Sequence, residues 1–253
     1  MDLGLKGKKV IMSGGSHGIG LETLKLLTAE GADVAFFSRD QGRIDSALAA
    51  VAGNPGKASG EVFDLTGNLD GYVAWLSATA DKLGGCDIFI NMASASGQGA
   101  TQDWQKCFDI DIMSAVKGIA TLTPALEASG AGSIIIMSST AAVETFIMPQ
   151  AYNAIKAALI THASQLSQAL AAKGIRVNTV SPGPIEFPTG NWGAIKNAMP
   201  DFYKGMVAQV PTGRLGAPEE VARSIVFLAS PASSYTTGAN LIIDGGFTKR
   251  VQF

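Results

Sequence analysis

A phenol and an ammonium stand about one helical turn apart in Tyr152-Asn153-Ala154-Ile155-Lys156, a spacing that puts both on one face of a helix. A phenol of ordinary pKa, about 10, exchanges protons poorly at neutral pH until a nearby cation stabilises its anion. The two side chains read together as a proton-transfer pair. Upstream, Ile134-Ile135-Ile136-Met137 runs into Ser138-Ser139, so a hydroxyl stands at the carboxyl end of an expected strand, the edge at which parallel sheets bind ligands. A hydroxyl there is suited to holding a substrate carbonyl. Earlier in the chain, Ser13-Gly14-Gly15-Ser16-His17-Gly18-Ile19-Gly20 lies between a strand-like run and a helical one. Glycine permits positive φ and close approach to a ligand, and the helix that follows aims its N–H groups at phosphates. The turn therefore reads as a pyrophosphate cradle.

The second strand should end at the adenosine ribose, where an acidic side chain would grip the hydroxyls of NAD. Here it ends Phe36-Phe37-Ser38-Arg39. Ser38 cannot make the paired acceptor contact, whereas Arg39 can fork onto a 2′-phosphate in a charge-assisted bond of about 1.5–3 kcal/mol. NADP(H) is the expected cofactor, with His17 as a second contact from the same side.

Positioning these groups requires a sheet. Short β-branched runs alternate with segments of helical period, which predicts strands at 9–13, 33–38, 58–64, 87–91, 133–138, 176–181 and 240–244. Helices are expected at 18–30, 41–51, 71–83, 103–127, 151–173 and 218–229. Right-handed crossovers then give an α/β, Rossmann-type, doubly wound parallel seven-stranded sheet with helices on both faces. No linker divides the chain, so one domain over 1–253 is expected. Residues 184–216 carry Pro, Gly and aromatics without a strand, and read as a substrate lid. Phe187 and Trp192 would wall a pocket for an apolar or ring-bearing ketone. Helices 103–127 and 151–173 are apolar or small on more than one face, which predicts a homo-oligomer.

Composition narrows the partners. Of 253 residues, 47% are apolar and 16% charged, and a net charge of −2 offers no positive field to nucleic acid or an anionic membrane. The apolar runs fall short of the ~20 residues of a membrane span. Met1-Asp2-Leu3-Gly4-Leu5-Lys6 lacks the basic and apolar pattern of an export signal, so the cytoplasm is the expected address. Cys86 and Cys107 match no metal-ligand spacing and read as half-buried thiols, and no metal is expected. His162, among small residues of a helix, reads as a packed or interface histidine.

In this order along the chain, Gly14/Gly18/Gly20, Asp64, Asn91-Met92-Ala93-Ser94, Ser139, Tyr152 with Lys156, Pro182-Gly183 and Thr237-Gly238 before Asp244-Gly245-Gly246 resemble the short-chain dehydrogenase/reductase family, in its compact single-domain branch. The resemblance spans essentially the whole chain and implies a tetramer. It implies Tyr152 as proton donor or acceptor, Ser139 as the group polarising the carbonyl, and Lys156 as ribose ligand and modifier of the phenol. It also implies a cofactor held by Gly14, Ser16, His17, Gly18, Ile19, Gly20, Ser38, Arg39, Asp64, Leu65, Asn91, Ala93, Tyr152, Lys156, Pro182, Gly183 and Ile185. Of these, Asp64 would lie near adenine and the backbone around Ile185 near the carboxamide.

Three positions depart from the family pattern. Asn91-Met92-Ala93-Ser94 replaces the usual Asn-Asn-Ala-Gly, which narrows the space beside the cofactor, and Ser94 is an expected substrate contact. Phe187 stands where a threonine often binds the carboxamide, and the nearest threonine is Thr189. Asp111 stands where an asparagine commonly anchors a water of the proton relay, so the expected catalytic set is Ser139, Tyr152, Lys156 and Asp111. The reading is an NADP(H)-dependent carbonyl reductase or alcohol dehydrogenase acting on a small molecule. Its rivals are a 3-oxoacyl-thioester (acyl-carrier-protein) reductase, a non-catalytic NADP(H)-binding sensor and a nucleotide-sugar epimerase or dehydratase. Against the first, residues 122–133 carry no Lys or Arg with which to dock an acidic carrier.

Overall fold

The computed structural model describes residues 2–145 and 148–251. Seven strands form one parallel sheet: β1 (Lys9–Ser13), β2 (Asp33–Ser38), β3 (Ala58–Val62), β4 (Ile88–Asn91), β5 (Gly132–Met137), β6 (Ile175–Pro182) and β7 (Asn240–Ile243). Their order is β3-β2-β1-β4-β5-β6-β7, so the winding reverses between β1 and β4 and opens a crevice at their carboxyl ends. Successive side chains of a strand face opposite ways, and the sequence uses both directions. Ile11, Phe89, Ile134 and Ile136 join one buried cluster, while Val10, Met12, Ile88, Ile90 and Ile135 join the other. Every residue of β5 is buried, and burying each of its three isoleucines contributes about 1.5–3 kcal/mol.

Helices α1 (Gly18–Ala29), α2 (Gln41–Val51) and α3 (Leu69–Leu83) follow the first three strands. Asp40 caps α2 by accepting from Arg43 N at 2.8 Å, and Asn68 starts α3 by accepting from Gly71 N at 3.2 Å. Between β4 and β5 the single helix expected over 103–127 is three pieces: α4 (Trp104–Cys107), a π-helical turn Phe108–Met113 and α5 (Ser114–Ala128). The widened turn leaves the apolar period nearly intact, which is why the sequence reads as one helix, but it turns Asp111 inward. Helix α6 (Ala151–Leu170) ends in a 3₁₀ turn, Ala171–Lys173, closed by Gly174 at φ 71°.

Residues 184–216, expected as a lid, carry two helices that their Pro and Gly content concealed, α7 (Asn191–Ala198) and α8 (Pro200–Val207). They share a small core of their own, in which Met206, Val210 and Leu215 meet Phe247, with Trp192 and Phe202 packed alongside. Helix α9 (Pro218–Ala229) covers the sheet beside α1. Arg176 of β6 ties its end down, donating to the carbonyls of Leu228, Ala229 and Ser230 at 2.8–3.2 Å. Strand ends differ from the expected ones by one or two residues, as at β3, which stops at Val62 rather than 64. No helix among the described residues is long and apolar enough to cross a membrane.

Candidate active site

At the carboxyl edge of the sheet lies a cavity of about 1010 Å³. Of the residues singled out in the sequence as catalytic, cofactor-binding or substrate-binding, all but Asn91 and Asp111 line it. Its floor at one end is the glycine turn. Gly14 and Gly18 hold φ of +100° and +54°, conformations that side chains rarely adopt, and a Cβ on Gly15 would meet Phe36 Cγ at 2.8 Å. Among the described residues the His17 side chain makes no capping hydrogen bond to α1, so the first N–H groups of that helix face the cavity uncapped. A tight cradle with free donors at a helix start fits a dinucleotide pyrophosphate.

Ser16 Oγ donates to Ser38 Oγ at 2.8 Å, joining the turn to the end of β2. Arg39 lies beside them, and Arg43 of α2, which sequence reasoning missed, lines the same wall. Its signal was its place one turn beyond Arg39, at a helix start that Asp40 caps. Burial, then the charges of Arg43 and Arg39, push the His17 pKa below the ordinary imidazole range. The imidazole therefore brings no positive charge of its own at neutral pH, and the cationic wall consists of the two arginines. Asp64, whose carboxyl accepts from Thr66 N at 2.9 Å, lines the cavity with Leu65.

Asn91 corrects the sequence reading. Its side chain is buried below the floor, accepting from Ser13 Oγ at 2.9 Å and Ser114 Oγ at 3.3 Å. Ser13 Oγ in turn accepts from the N–H groups of Met92 and Ala93 at 2.8 and 3.1 Å. Asn91 thus braces the turn that brings Ala93 and Ser94 to the cavity and does not itself reach it.

The phenol and ammonium singled out in the sequence also line the cavity. Tyr152 and Lys156 share one face of α6, with the Lys156 Nζ 5.6 Å from the phenol ring centre. Tyr152 N donates to Thr101 O at 3.0 Å, and Ser139 Oγ accepts from Ala141 N at 3.2 Å. Lys156 is 2% exposed, and its Nζ donates to Met137 O at 2.8 Å. It also lies 2.9 Å from Asp111 Oδ1, while Asp111 Oδ2 accepts from Ala95 N at 2.8 Å. Burial, the largest single influence, lowers the ammonium pKa, but the charge and hydrogen bond of Asp111 together with the charges of Tyr152 and Cys107 outweigh it and the net shift is upward. Asp111 is absent from the cavity lining, and its contact with the cavity runs through Lys156, which lines it. Cys86 and Cys107 prove fully rather than half buried, and burial pushes their thiols up to about 12 and about 11, leaving neither a nucleophile at neutral pH.

Residues 187–195 supply the remaining wall through Phe187, Trp192 and Ile195, with the polar Thr189 and Asn191 between them. Trp192 stacks on Phe202 of α8 at 6.3 Å, which holds its ring in place.

Residues 14–248 match a family model described as enoyl-(acyl carrier protein) reductase. The chain is 37% identical to an isoepoxydon dehydrogenase of Penicillium expansum, over 99% of this chain and 98% of that one. It is 33% identical to a 3-oxoacyl-[acyl-carrier-protein] reductase of Chlamydia pneumoniae, over 98% and 100% of the two chains. The structure resembles L-sorbose reductase of Gluconobacter frateurii, solved with NADPH and L-sorbose, with a TM-score of 0.88 at 29% identity over 99% and 100% of the two chains.

Proposed function

The chain belongs to the short-chain dehydrogenase/reductase family, and from that premise we propose that it is an NADP(H)-dependent reductase of a ring-bearing ketone, or the dehydrogenase of the matching secondary alcohol. The observation that carries this reading is the meeting of Tyr152, Lys156 and Ser139 with the glycine turn in one cavity. Bound nicotinamide supplies the hydride. Ser139 Oγ holds the carbonyl oxygen, and the Tyr152 hydroxyl gives its proton to that oxygen. Lys156 compensates the phenolate that this leaves. Because Met137 O and Asp111 fix the ammonium from behind, it needs no reorganisation when that charge develops.

Support for a mixed substrate wall comes from the apolar Trp192 and Ile195 and the polar Ser94, Gln150 and Asn191, all of which line the cavity. A spectrophotometric screen of NADPH oxidation against cyclic, aromatic, steroid, sugar and acyl-thioester ketones tests the reading. Turnover confined to acyl thioesters replaces it with the carrier-protein reductase, and binding without turnover replaces it with the sensor.

Arg39 and Arg43 support the preference for NADPH. Arg39→Ala is expected to cut NADPH affinity by about 10- to 150-fold, the equivalent of one charge-assisted contact, with NADH little changed. Specificity constants for both cofactors in wild type and variant measure this, and a wild type that prefers NADH overturns it.

The family resemblance also supports a homotetramer. Trp104 and Phe108, 62% and 43% exposed on α4 and the π-helical turn, are large apolar side chains that such contacts would cover. Sedimentation is expected to give four chains per particle at micromolar concentration, and a monomer there overturns the assembly.

A further inference from the structure

The ring of Phe187 rests in a seat made by two glycines. A Cβ on Gly18 would stand 2.7 Å from the ring Cζ, and a Cβ on Gly190 would stand 2.6 Å from Cε1. Gly18 has a φ of +54° and favours glycine on that ground alone. Gly190 has a φ of −90°, open to any residue, so the bulk of the ring accounts for the missing side chain there. The His17 ring meets Phe187 edge-on at 6.2 Å. Gly18 is the first residue of α1, the point to which a helix draws phosphate. Ring and pyrophosphate claim the same ground.

The ring is also tied to the lid. Phe187 O accepts from Gly190 N at 3.0 Å. Next to it, Glu186 accepts from Lys196 of α7 at 2.6 Å and from the Tyr203 hydroxyl of α8. The Lys196 Nζ lies 5.2 Å from the Tyr203 ring centre, closing the clamp. Residues 186–203 therefore form one linked body that carries the ring at its hinge.

Resting on the dinucleotide reading above, we propose that Phe187 is a latch: its ring holds the lid onto the glycine turn, and dinucleotide binding lifts the ring and shifts the lid in one event. Affinity is then reduced by the fraction of molecules that are latched. Removing the ring, or filling its seat, raises affinity.

Rapid mixing and equilibrium titration with NADPH test this, following Trp192 of the lid, with Trp192→Phe as the blank for Trp75 and Trp104. In wild type the rate of the Trp192 signal is expected to level off with rising NADPH, because unlatching limits it. Phe187→Ala is expected to bind NADPH about tenfold tighter, with a rate that rises linearly. Gly190→Ala keeps the ring but fills its seat, and is expected to move both readouts the same way. Wild-type affinity and kinetics in both variants overturn the latch, as does weaker binding in both, which makes the ring a plain contact. Wild type that binds neither NADPH nor NADH removes the dinucleotide reading and the latch with it. Wild-type binding with unmoved variants removes the latch alone.

Discussion

Replacing Tyr152 by phenylalanine is expected to lower turnover by about 10²–10⁴-fold, the usual scale of a lost general acid or base, with NADPH still bound. The substitution is informative because so little else changes. The ring keeps its place on α6, and the backbone N–H of residue 152 still donates to Thr101 O, a bond of 3.0 Å. Lys156 keeps Met137 O and Asp111, and Ser139 keeps the Ala141 N–H. Only the hydroxyl is gone. Steady-state rates on a ketone from the screen, with NADPH affinity measured separately, check this; near-normal turnover with cofactor bound removes Tyr152 from proton transfer.

The second large effect is on stability. Asp111→Ala strands a buried ammonium, and breaking one side of such a pair costs about 3–5 kcal/mol. Asp111 is 0% exposed and Lys156 2%, so solvent does little to screen the pair. Denaturant midpoints measure the loss. The Lys156 pKa is raised in the folded chain, so the pair's contribution is full below the ordinary lysine value of about 10.4 and fades as pH rises through the higher folded value. The deficit of Asp111→Ala should thus be flat across neutral pH and shrink only at strongly alkaline pH. Asp111→Asn separates charge from shape, since its carboxamide oxygen can still accept from Ala95 N. With the ammonium unopposed, the rate of alcohol oxidation is expected to rise at lower pH than in wild type. Superimposable pH profiles remove Asp111 from any influence on the proton transfer.

Much of this architecture was legible because parallel strands covered on both faces announce themselves as apolar runs, and β5 is the clearest case. The glycine turn and the Tyr152–Lys156 spacing are local patterns, readable one at a time. What escaped depends on long-range placement. Asp111 was read into the catalytic set with Lys156, but not the π-helical turn that carries it, whose widened coil leaves the apolar period almost undisturbed. Asn91 looked like a ligand because it adjoins Met92, Ala93 and Ser94, which line the cavity; only the fold shows Ser13 and Ser114 taking up its side chain from below. Helices α7 and α8 were hidden by proline and glycine that serve as starts and close contacts, Pro200 at the first turn of α8 and Gly193 against the Phe187 and Pro188 carbonyls. Arg43 lies on a helix whose bounds were read correctly, and only the fold shows that the first turn of α2 brings it to the cavity with Arg39.

Because all seven strands run the same way, the loops that leave them and the loops that enter them lie at opposite edges, and the cavity uses only the former. Gly53 and Gly130, in the entering loops before β3 and β5, have open space where a side chain would stand. Those loops are the places to lengthen, tag or fuse the chain, since inserted residues there meet solvent and leave every wall of the cavity alone. At the opposite edge each added residue alters a wall. The same asymmetry leaves lineages of this chain free to drift at one end of the sheet while any change of substrate must be written at the other.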